Sequence, residues 1–421
     1  MKIEIVTIGD ELLLGFTIDT NAAHIARELG GAGVEIVHRT TVGDNAADIA
    51  GAVEDALNRT GGVITTGGLG PTSDDLTKAA IAALFGRAMY RDEAIVESLK
   101  ARWARYRRLG PFSESNITQA MIPEGATILP NRHGSAPGIW LEDERGRWVV
   151  MLPGVPREMR GLLTDEVMPR IRERAGAVGK AGATVIRSRT LRTTGIAESA
   201  LADLLGELAA GMEGMSLAFL PGVDSVDLRL TSRGLSAAEA DAALSRGVLK
   251  LREVAGRYVY GADGTDLAEV VLTSCRRSGL TISVAESCTG GMLGARLTAI
   301  PGSSDVFMGG VIAYDNSVKR IFLDVSDSDL EEHGAVSEEV AACMARSVRE
   351  RLKTDIGIAV TGVAGPGGGT AAKPVGMVWV ALDGAGTQAR CLRLFGTRDE
   401  VRQRAAQAAL DMVRRAVEPN R

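Results

Sequence analysis

The segment VAESCTGG (284–291) places Ser287 where an expected strand gives way to a Gly-Gly turn and a helix. A serine on so tight a turn lies beside helix-start N–H groups that can stabilise an oxyanion, so the chemistry it suits is nucleophilic acyl transfer. The surroundings are not G-x-S-x-G, which argues against an α/β-hydrolase triad. The only histidine in the C-terminal part is His333, within HGAVSEE, which reads as a loop and helix cap. A serine without histidine can be activated by a neutral lysine. The stretch GGVIAYDNSVKRIFL (309–323) offers Tyr314 and Lys319. Burial or a cationic neighbour has to lower the lysine pKa before it can act as a base. The alternatives are Ser287 as an ordinary helix cap, Lys319 as a surface lysine, and Cys288 as the nucleophile. Cys288 ranks lower, because a buried structural cysteine is the common case.

A second set of candidates sits near the N-terminus. Asp10 and Glu11 follow the first expected strand, Asp44 the second in VGDN, and Asp74 and Asp75 the third in GGLGPTSDD. The carboxyl ends of strands in an open parallel sheet form its ligand crevice. Carboxylates converging there suit a divalent metal of the magnesium type. Gly67, Gly68 and Gly70 would let backbone N–H groups approach an anion, and a helix starting near Asp74 would add its positive end. Metal plus anion cradle fits phosphate-ester or pyrophosphate chemistry. Asp74 and Asp44 are also good helix caps, which is the alternative reading.

These residues need a scaffold, and the pattern supplies one. Strands are expected at 3–8, 34–42 and 62–66, with helices from Asp19-Thr20 to about 29 and over 47–57. After residue 265 the alternation resumes, with strands at 280–285, 356–361 and 377–382 and a helix at 290–297. Such alternation predicts doubly wound α/β sheets. The segment between reads as a small α+β unit, with strands in RSRTLRTTG and SVDLRLTSRG and a helix in SAAEADAALSRGVLKLREVAG. The expected organisation is therefore 1–170, 175–260 and 265–421. A length of 421 residues fits two to three domains. Glycine is abundant (51) and proline sparse (13), as tight strand-to-helix turns require. Aromatic residues make up only 4%, too few for a base-stacking platform. A net charge of −5 is a poor basis for non-specific DNA binding. The one basic cluster, Arg102, Arg105, Arg107 and Arg108, reads as a solvated helix face. Four cysteines without a C-x-x-C pair suggest neither a zinc site nor a disulfide scaffold. With no apolar signal region and no run of about 18 apolar residues, the expectation is a cytoplasmic protein without a membrane span.

The motifs IVTIGDELLLGFTIDTNAAHIARELGGAGVEI, VGDN, TTGGLGPTSDDLTK, LPNRHGSAPGIW and LPGVPREM resemble the CinA (competence/damage-inducible protein A) family across most of residues 1–165. The N-terminal domain of that family is similar to molybdopterin-binding enzymes and is associated with metal-dependent ADP-ribose pyrophosphatase activity. The resemblance implies hydrolysis of ADP-ribose to AMP and ribose 5-phosphate. It carries Asp10, Asp44 and Asp74 over as metal candidates, and Asn21, Gly67, Gly68 and Gly70 as substrate contacts. VAESCTGG, PGSSDVFMGGVIAYDNSVK, HGAVSEEV, VTGVAGPGGGT, KPVGMVWVAL and FGTRDEVR resemble the family's nicotinamide-nucleotide amidase domain over about 265–415. The implied reaction converts nicotinamide mononucleotide to nicotinic acid mononucleotide and ammonia, with no metal. A Ser–Lys dyad is carried over to Ser287 and Lys319, with Tyr314 nearby. Helix-start N–H groups near Cys288, Thr289 and Gly290 could hold the oxyanion, with Gly291 a further substrate contact. The phosphate has two candidate sites: the turn Gly362–Gly369 that follows Thr361 and includes Gly365, through its backbone N–H groups, or Arg398 with Arg402, which read alternatively as i,i+4 residues of a charged helix face. The middle segment resembles the family's KH-like domain, but no G-x-x-G RNA clamp is evident. Family members form homodimers, so a homodimer is expected. Two other readings stand beside this one: an amidase whose N-terminal domain only binds a nucleotide or pterin, and a non-catalytic competence or DNA-repair recruitment factor.

Overall fold

The computed structural model describes residues 1–105, 112–178, 185–212 and 214–418. Arg107 and Arg108 of the basic cluster lie outside the described residues. The chain divides into two compact units, Met1–Arg187 with Ser232–Asp241, and Ser188–Thr231 with Ala242–Arg421.

The first unit is built on a six-stranded sheet. Its order is Glu35–Val42, Lys2–Ile8, Gly62–Thr66, Trp148–Leu152, Gly138–Glu142 and Thr127–Leu129. The first four strands run parallel and the last two antiparallel. Strand Lys2–Ile8 is buried on both faces: Ile3 and Ile5 enter one apolar cluster, Val6 and Ile8 the other. A strand covered on both sides is mostly apolar; the buried exceptions in KIEIVTI are Glu4, which accepts from Arg59, and Thr7. The Asp19 side chain accepts from Ala22 N–H and starts helix Thr20–Gly31. Asn45, not Asp44, caps helix Ala46–Thr60 by accepting from Ala47 and Asp48.

The second unit holds a five-stranded sheet in the order Phe307–Ile312, Ile282–Glu286, Ile356–Gly362, Met377–Asp383 and Gln388–Arg393. The first three are parallel, and the last two return antiparallel. Helices Leu267–Ser278 and Arg398–Val417 cover one face, where Ile282, Val284, Ile358 and Val360 point. Helix Glu338–Leu352 covers the other, over Ala285, Ala359 and Ala381. Both sheets are thus the expected α/β kind, each with an antiparallel edge that simple strand–helix alternation did not announce. In the second sheet, Gly362 permits the return: a Cβ there would stand 2.6 Å from Val378 Cγ2 and 2.8 Å from the Met377 carbonyl oxygen.

A four-stranded sheet, Met215–Pro221, Val226–Leu235, Val185–Thr193 and Val259–Ala262 in that order, accounts for the small α+β segment. Leu191, Leu201, Leu228, Leu244 and Leu251 form its core.

Candidate functional site

Ser287 directly follows strand Ile282–Glu286. It is 8% exposed, and its N–H donates to the Val360 carbonyl at 2.8 Å. Glu286 pairs with Ile312 across the parallel ladder, so the next residue opposite is Ala313, whose N–H donates to the Glu286 carbonyl at 2.7 Å. Adjacent strands lie about 4.8 Å apart, which brings the Ala313 backbone beside Ser287.

Lys319 reaches that spot. It sits on helix Asn316–Leu323, whose start is capped by Asp315 accepting from Ser317 N–H. The side chain is 2% exposed, and Nζ donates to the Ala313 carbonyl at 2.8 Å. Burial pushes its pKa below the ordinary lysine value, while the Asp315 carboxylate and the nearby Cys288 thiol oppose the shift. A lysine depressed in this way is what a serine needs for a proton acceptor. Cys288 takes the opposite course: burial pushes its thiol up to about 12. Without thiolate it is no nucleophile near neutral pH.

The turn after Ser287 is held from inside. The buried Glu286 carboxylate accepts from Gly291 (3.0 Å), Leu293 (3.0 Å) and Gly294 (2.8 Å), the first donors of helix Met292–Thr298. Gly290 N–H donates to the Ser287 carbonyl at 3.1 Å. The Gly290 and Gly291 N–H groups are therefore already engaged. Cys288 and Thr289 N–H donate to no other described residue, and they remain for an oxyanion. The Thr289 hydroxyl is buried and has no partner among the described residues.

Helix Arg398–Val417 brings cations to this turn. Arg402 donates to the Thr289 carbonyl through Nε (3.3 Å) and a terminal nitrogen (2.8 Å). Arg398 donates to the Gly365 carbonyl at 2.6 Å and to the Tyr314 hydroxyl at 2.7 Å. Tyr314 is exposed and holds Arg398. The 362–369 turn therefore meets Arg398 at the site, so the two candidate phosphate binders are one assembly. Thr361 turns its hydroxyl away, onto the Ala335 carbonyl at 2.7 Å. The His333 ring lies 3.9 Å from Glu332 and 3.8 Å from Glu339, and it takes no part here.

The N-terminal candidates divide differently. Asp10 and Asp44 come together: each backbone N–H donates to the other's carboxylate, at 3.0 and 3.3 Å. Glu11 folds back against Gly9. Asp75 is spent on its own turn, accepting from Gly70 N–H (2.6 Å), Thr72 N–H (2.8 Å) and the Thr72 hydroxyl (2.6 Å). The helix there is Thr77–Leu84 and begins after Leu76, so neither Asp74 nor Asp75 caps it. Among the described residues, no three acidic, histidine or cysteine side chains gather to hold a metal. Of the three metal candidates, Asp10 and Asp44 are thus adjacent, and Asp74 is not gathered with them into a three-residue group.

The glycine cradle is also partly occupied. Gly67 N–H donates to the Leu152 carbonyl at 3.0 Å, and Gly70 N–H to Asp75. Gly67 has φ +114°, and a Cβ would lie 2.1 Å from the Ile8 carbonyl oxygen. It is required for chain crossing rather than for an anion. Asn21 donates from Nδ2 to Thr66 Oγ1 (3.1 Å) and to the Gly154 carbonyl (2.7 Å), leaving its buried Oδ1 without a partner among the described residues.

Two residues escaped the sequence reading. Glu286 is an acid inside the otherwise apolar strand ISVAE, and that misfit was its signal. Lys78, in the apolar helix TKAAIAAL, is buried with Nζ on the Thr118 carbonyl at 2.6 Å. Burial lowers its pKa to about 8, against an opposing pull from Asp75.

The chain matches three family descriptions in succession. Residues 4–173 match the probable molybdopterin binding domain, 188–261 the damage-inducible protein CinA KH domain, and 264–417 the CinA C-terminal domain. A CinA-like protein of Gemmatimonas aurantiaca is 62% identical over 419 residues, 99% of this chain and 96% of its own. A putative competence-damage inducible protein of Moorella thermoacetica is 40% identical over 418 residues, covering 99% of each chain. Among solved structures, a competence/damage inducible protein from Agrobacterium tumefaciens is 40% identical. That match covers 35% of this chain and 90% of the other, with a TM-score of 0.34. These matches define a molybdopterin-binding-like domain followed by KH and CinA C-terminal domains. The chain belongs to the CinA family. No helix among the described residues is long and apolar enough to cross a membrane.

Proposed function

We propose that residues 264–417 form a nicotinamide-nucleotide amidase that converts nicotinamide mononucleotide to nicotinic acid mononucleotide and ammonia. The observation that carries this reading is the buried Lys319 ammonium, bound to the Ala313 carbonyl beside Ser287 with its pKa depressed by burial. Neutral Lys319 takes the Ser287 proton as Oγ attacks the carboxamide carbon. Cys288 and Thr289 N–H stabilise the oxyanion, a contribution that donors of this kind make at about 3 kcal/mol each. Lys319 then returns the proton to the leaving nitrogen, and ammonia departs. Water attacks the acyl-enzyme and gives its proton to Lys319. The acid is released and Ser287 regains its proton. Arg398 and Arg402 suit the substrate phosphate.

The test is ammonia release from nicotinamide mononucleotide by the full chain, with and without chelator. Release that survives chelator and disappears in both Ser287→Ala and Lys319→Ala supports the reading. No release from folded wild-type protein overturns it and favours the recruitment alternative.

Residues 4–173 carry a second reading, hydrolysis of ADP-ribose to AMP and ribose 5-phosphate. It is supported by the unpartnered Asn21 Oδ1 and by the Asp10–Asp44 pair. A magnesium-type ion commonly takes one or two carboxylates and completes its shell from water and substrate phosphate. Two carboxylates fit that donor set, though they do not fit a closed all-protein cage. Asp10 and Asp44 would hold the ion, which would supply charge neutralisation at the pyrophosphate. AMP release that requires magnesium and is lost in Asp10→Asn and Asp44→Asn supports this reading. Binding without turnover favours the non-catalytic alternative.

A homodimer and a cytoplasmic location go with the same assignment. Leu13, Leu14, Phe16 and Ile18 form an exposed apolar run suited to burial between copies. A monomer mass in light scattering would remove the dimer.

A further inference from the structure

Two small hollows lie in the first unit, at the carboxyl edge of its six-stranded sheet. Strands Thr127–Leu129 and Gly138–Glu142 pair antiparallel, with Leu129 opposite Gly138. Gly138–Glu142 in turn runs antiparallel to Trp148–Leu152, with Ile139 opposite Met151. The connecting segment 130–137, part of LPNRHGSAPGIW, therefore crosses the same edge as Asp10, Asp44 and the Gly67–Gly70 turn.

Helix Glu93–Arg105 lies against this segment, and Arg102 donates to the Gly134 carbonyl at 2.5 Å. The hollows, of about 170 and 110 Å³, adjoin and share Leu99, Arg102 and Ser135. Each is smaller than a drug-sized site of roughly 300–1,000 Å³, so what fits is one ring of a longer substrate. In the larger hollow Trp103 meets Phe112 edge to face, with centroids 6.0 Å apart at 88°. Buried Leu99 adds an aliphatic wall. Surfaces of this kind take the flat face of an aromatic ring. No carboxylate lines either hollow.

One wall residue is uncommitted. Asn116, in the short helix Glu114–Ala120, is half-buried, and neither end of its amide bonds to a described residue. The Oε1 of neighbouring Gln119 is fully buried, so the amide oxygen presented to the hollow is Asn116 Oδ1. An open carboxamide sets an acceptor beside two donors. That pattern pairs bidentately with N6 and N7 of adenine.

The hollow is tied to the rest of the edge. The Thr77 hydroxyl donates to the Gly67 carbonyl at 2.9 Å. The next residue, Lys78, donates to the Thr118 carbonyl at 2.6 Å, two residues from Asn116. Three strand spacings of about 4.8 Å separate the strand that leads to Asp10 from the strand that follows Ser135. That separation suits a base at one end and a diphosphate at the other.

We propose that this hollow takes the adenine of a nucleotide whose diphosphate lies at the Asp10–Asp44 end, with Asn116 reading the edge of the base. The inference rests on the reading of residues 4–173 as a nucleotide-processing domain and names what selects its substrate.

The experiment is calorimetric titration of the full chain with AMP, IMP and ribose 5-phosphate in chelator, beside KM and kcat for ADP-ribose in magnesium. Binding and turnover are thereby read apart. Wild-type protein binds AMP on the order of 10-fold more tightly than IMP, whose 6-oxo group accepts where adenine donates. Ribose 5-phosphate, which lacks a base, binds more weakly still. Asn116→Leu loses the AMP-over-IMP preference and raises KM for ADP-ribose about 10-fold, acting on KM rather than kcat. The variant melts no lower than wild type, since no hydrogen bond is lost. AMP binding with the preference intact but no turnover removes the reaction and keeps the site. A preference unchanged in Asn116→Leu overturns the proposal, as does ribose 5-phosphate binding as tightly as AMP.

Discussion

Replacing Lys319 by Met separates a base from a strut. Lys319 Nζ makes one hydrogen bond, to the Ala313 carbonyl, and the side chain is 2% exposed. Removing the ammonium leaves that carbonyl unpaired, at a cost of about 1–3 kcal/mol. It also removes the desolvation penalty of a buried cation, which is several kcal/mol in real proteins, roughly. Stability should therefore hold or rise. Catalysis should not: a positioned general base contributes about 10²–10⁴-fold, or roughly 3–5 kcal/mol of barrier. The assay is ammonia release with thermal unfolding measured on the same preparation. Wild-type kcat/KM should rise with pH through the lysine pKa, which burial holds below its ordinary value, since only neutral Lys319 accepts the proton. That limb should be missing from the residual activity of Lys319→Met. Activity within a few-fold of wild type refutes Lys319 as the base. Loss of activity together with a large fall in melting temperature refutes the division of roles.

Three more outcomes follow from the same geometry. Lys78→Met should stabilise the first unit at pH 7. The unfolded lysine binds its proton up to about 10.5 and the folded one only up to about 8, so stability climbs across that window as pH rises. Below it the burial penalty is about 3 kcal/mol, less about 1 kcal/mol for the lost Thr118 bond. Urea unfolding at pH 7 and 9.5 reads both effects, and a less stable variant at pH 7 would falsify the account. Glu286→Gln keeps the shape but turns an NH2 toward backbone donors that need an acceptor. About 2–4 kcal/mol should be lost, and kcat with it as the Ser287 turn loosens. Full activity and an unchanged melting point would show that the three N–H bonds are dispensable. Gly67→Ala forces a side chain into φ +114° and against the Ile8 carbonyl. The first unit should unfold at lower denaturant while ammonia release is retained; loss of the amidase would show that the two units do not fold separately.

Much of the scaffold could be read from the chain. The strand at 62–66 matches the structure residue for residue, because a short β-branched run between a glycine pair and a glycine turn has few other fates. The antiparallel edges were not readable, since Met377–Asp383 is as apolar as a parallel core strand would be. The site was half legible. Ser287 and Lys319 stood out by type and were brought together by the ladder register, which no local pattern encodes. Which of the two adjacent carboxylates closes the 70–75 turn could not be read from the sequence; Asp75 does. That the Gly290 N–H is spent on the Ser287 carbonyl and the Gly291 N–H on Glu286, five residues back, was not readable either.

Helix Arg398–Val417 spans 20 residues, about 30 Å at 1.5 Å per residue. Arg402 grips the Ser287 turn near one end, and Arg414 donates to the Arg257 carbonyl near the other. One uninterrupted rod thus carries groups of the reacting site and the small α+β segment. A displacement of that rod at the small α+β segment would therefore be felt at the Ser287 turn, since the same helix is hydrogen-bonded to both. The reverse holds equally.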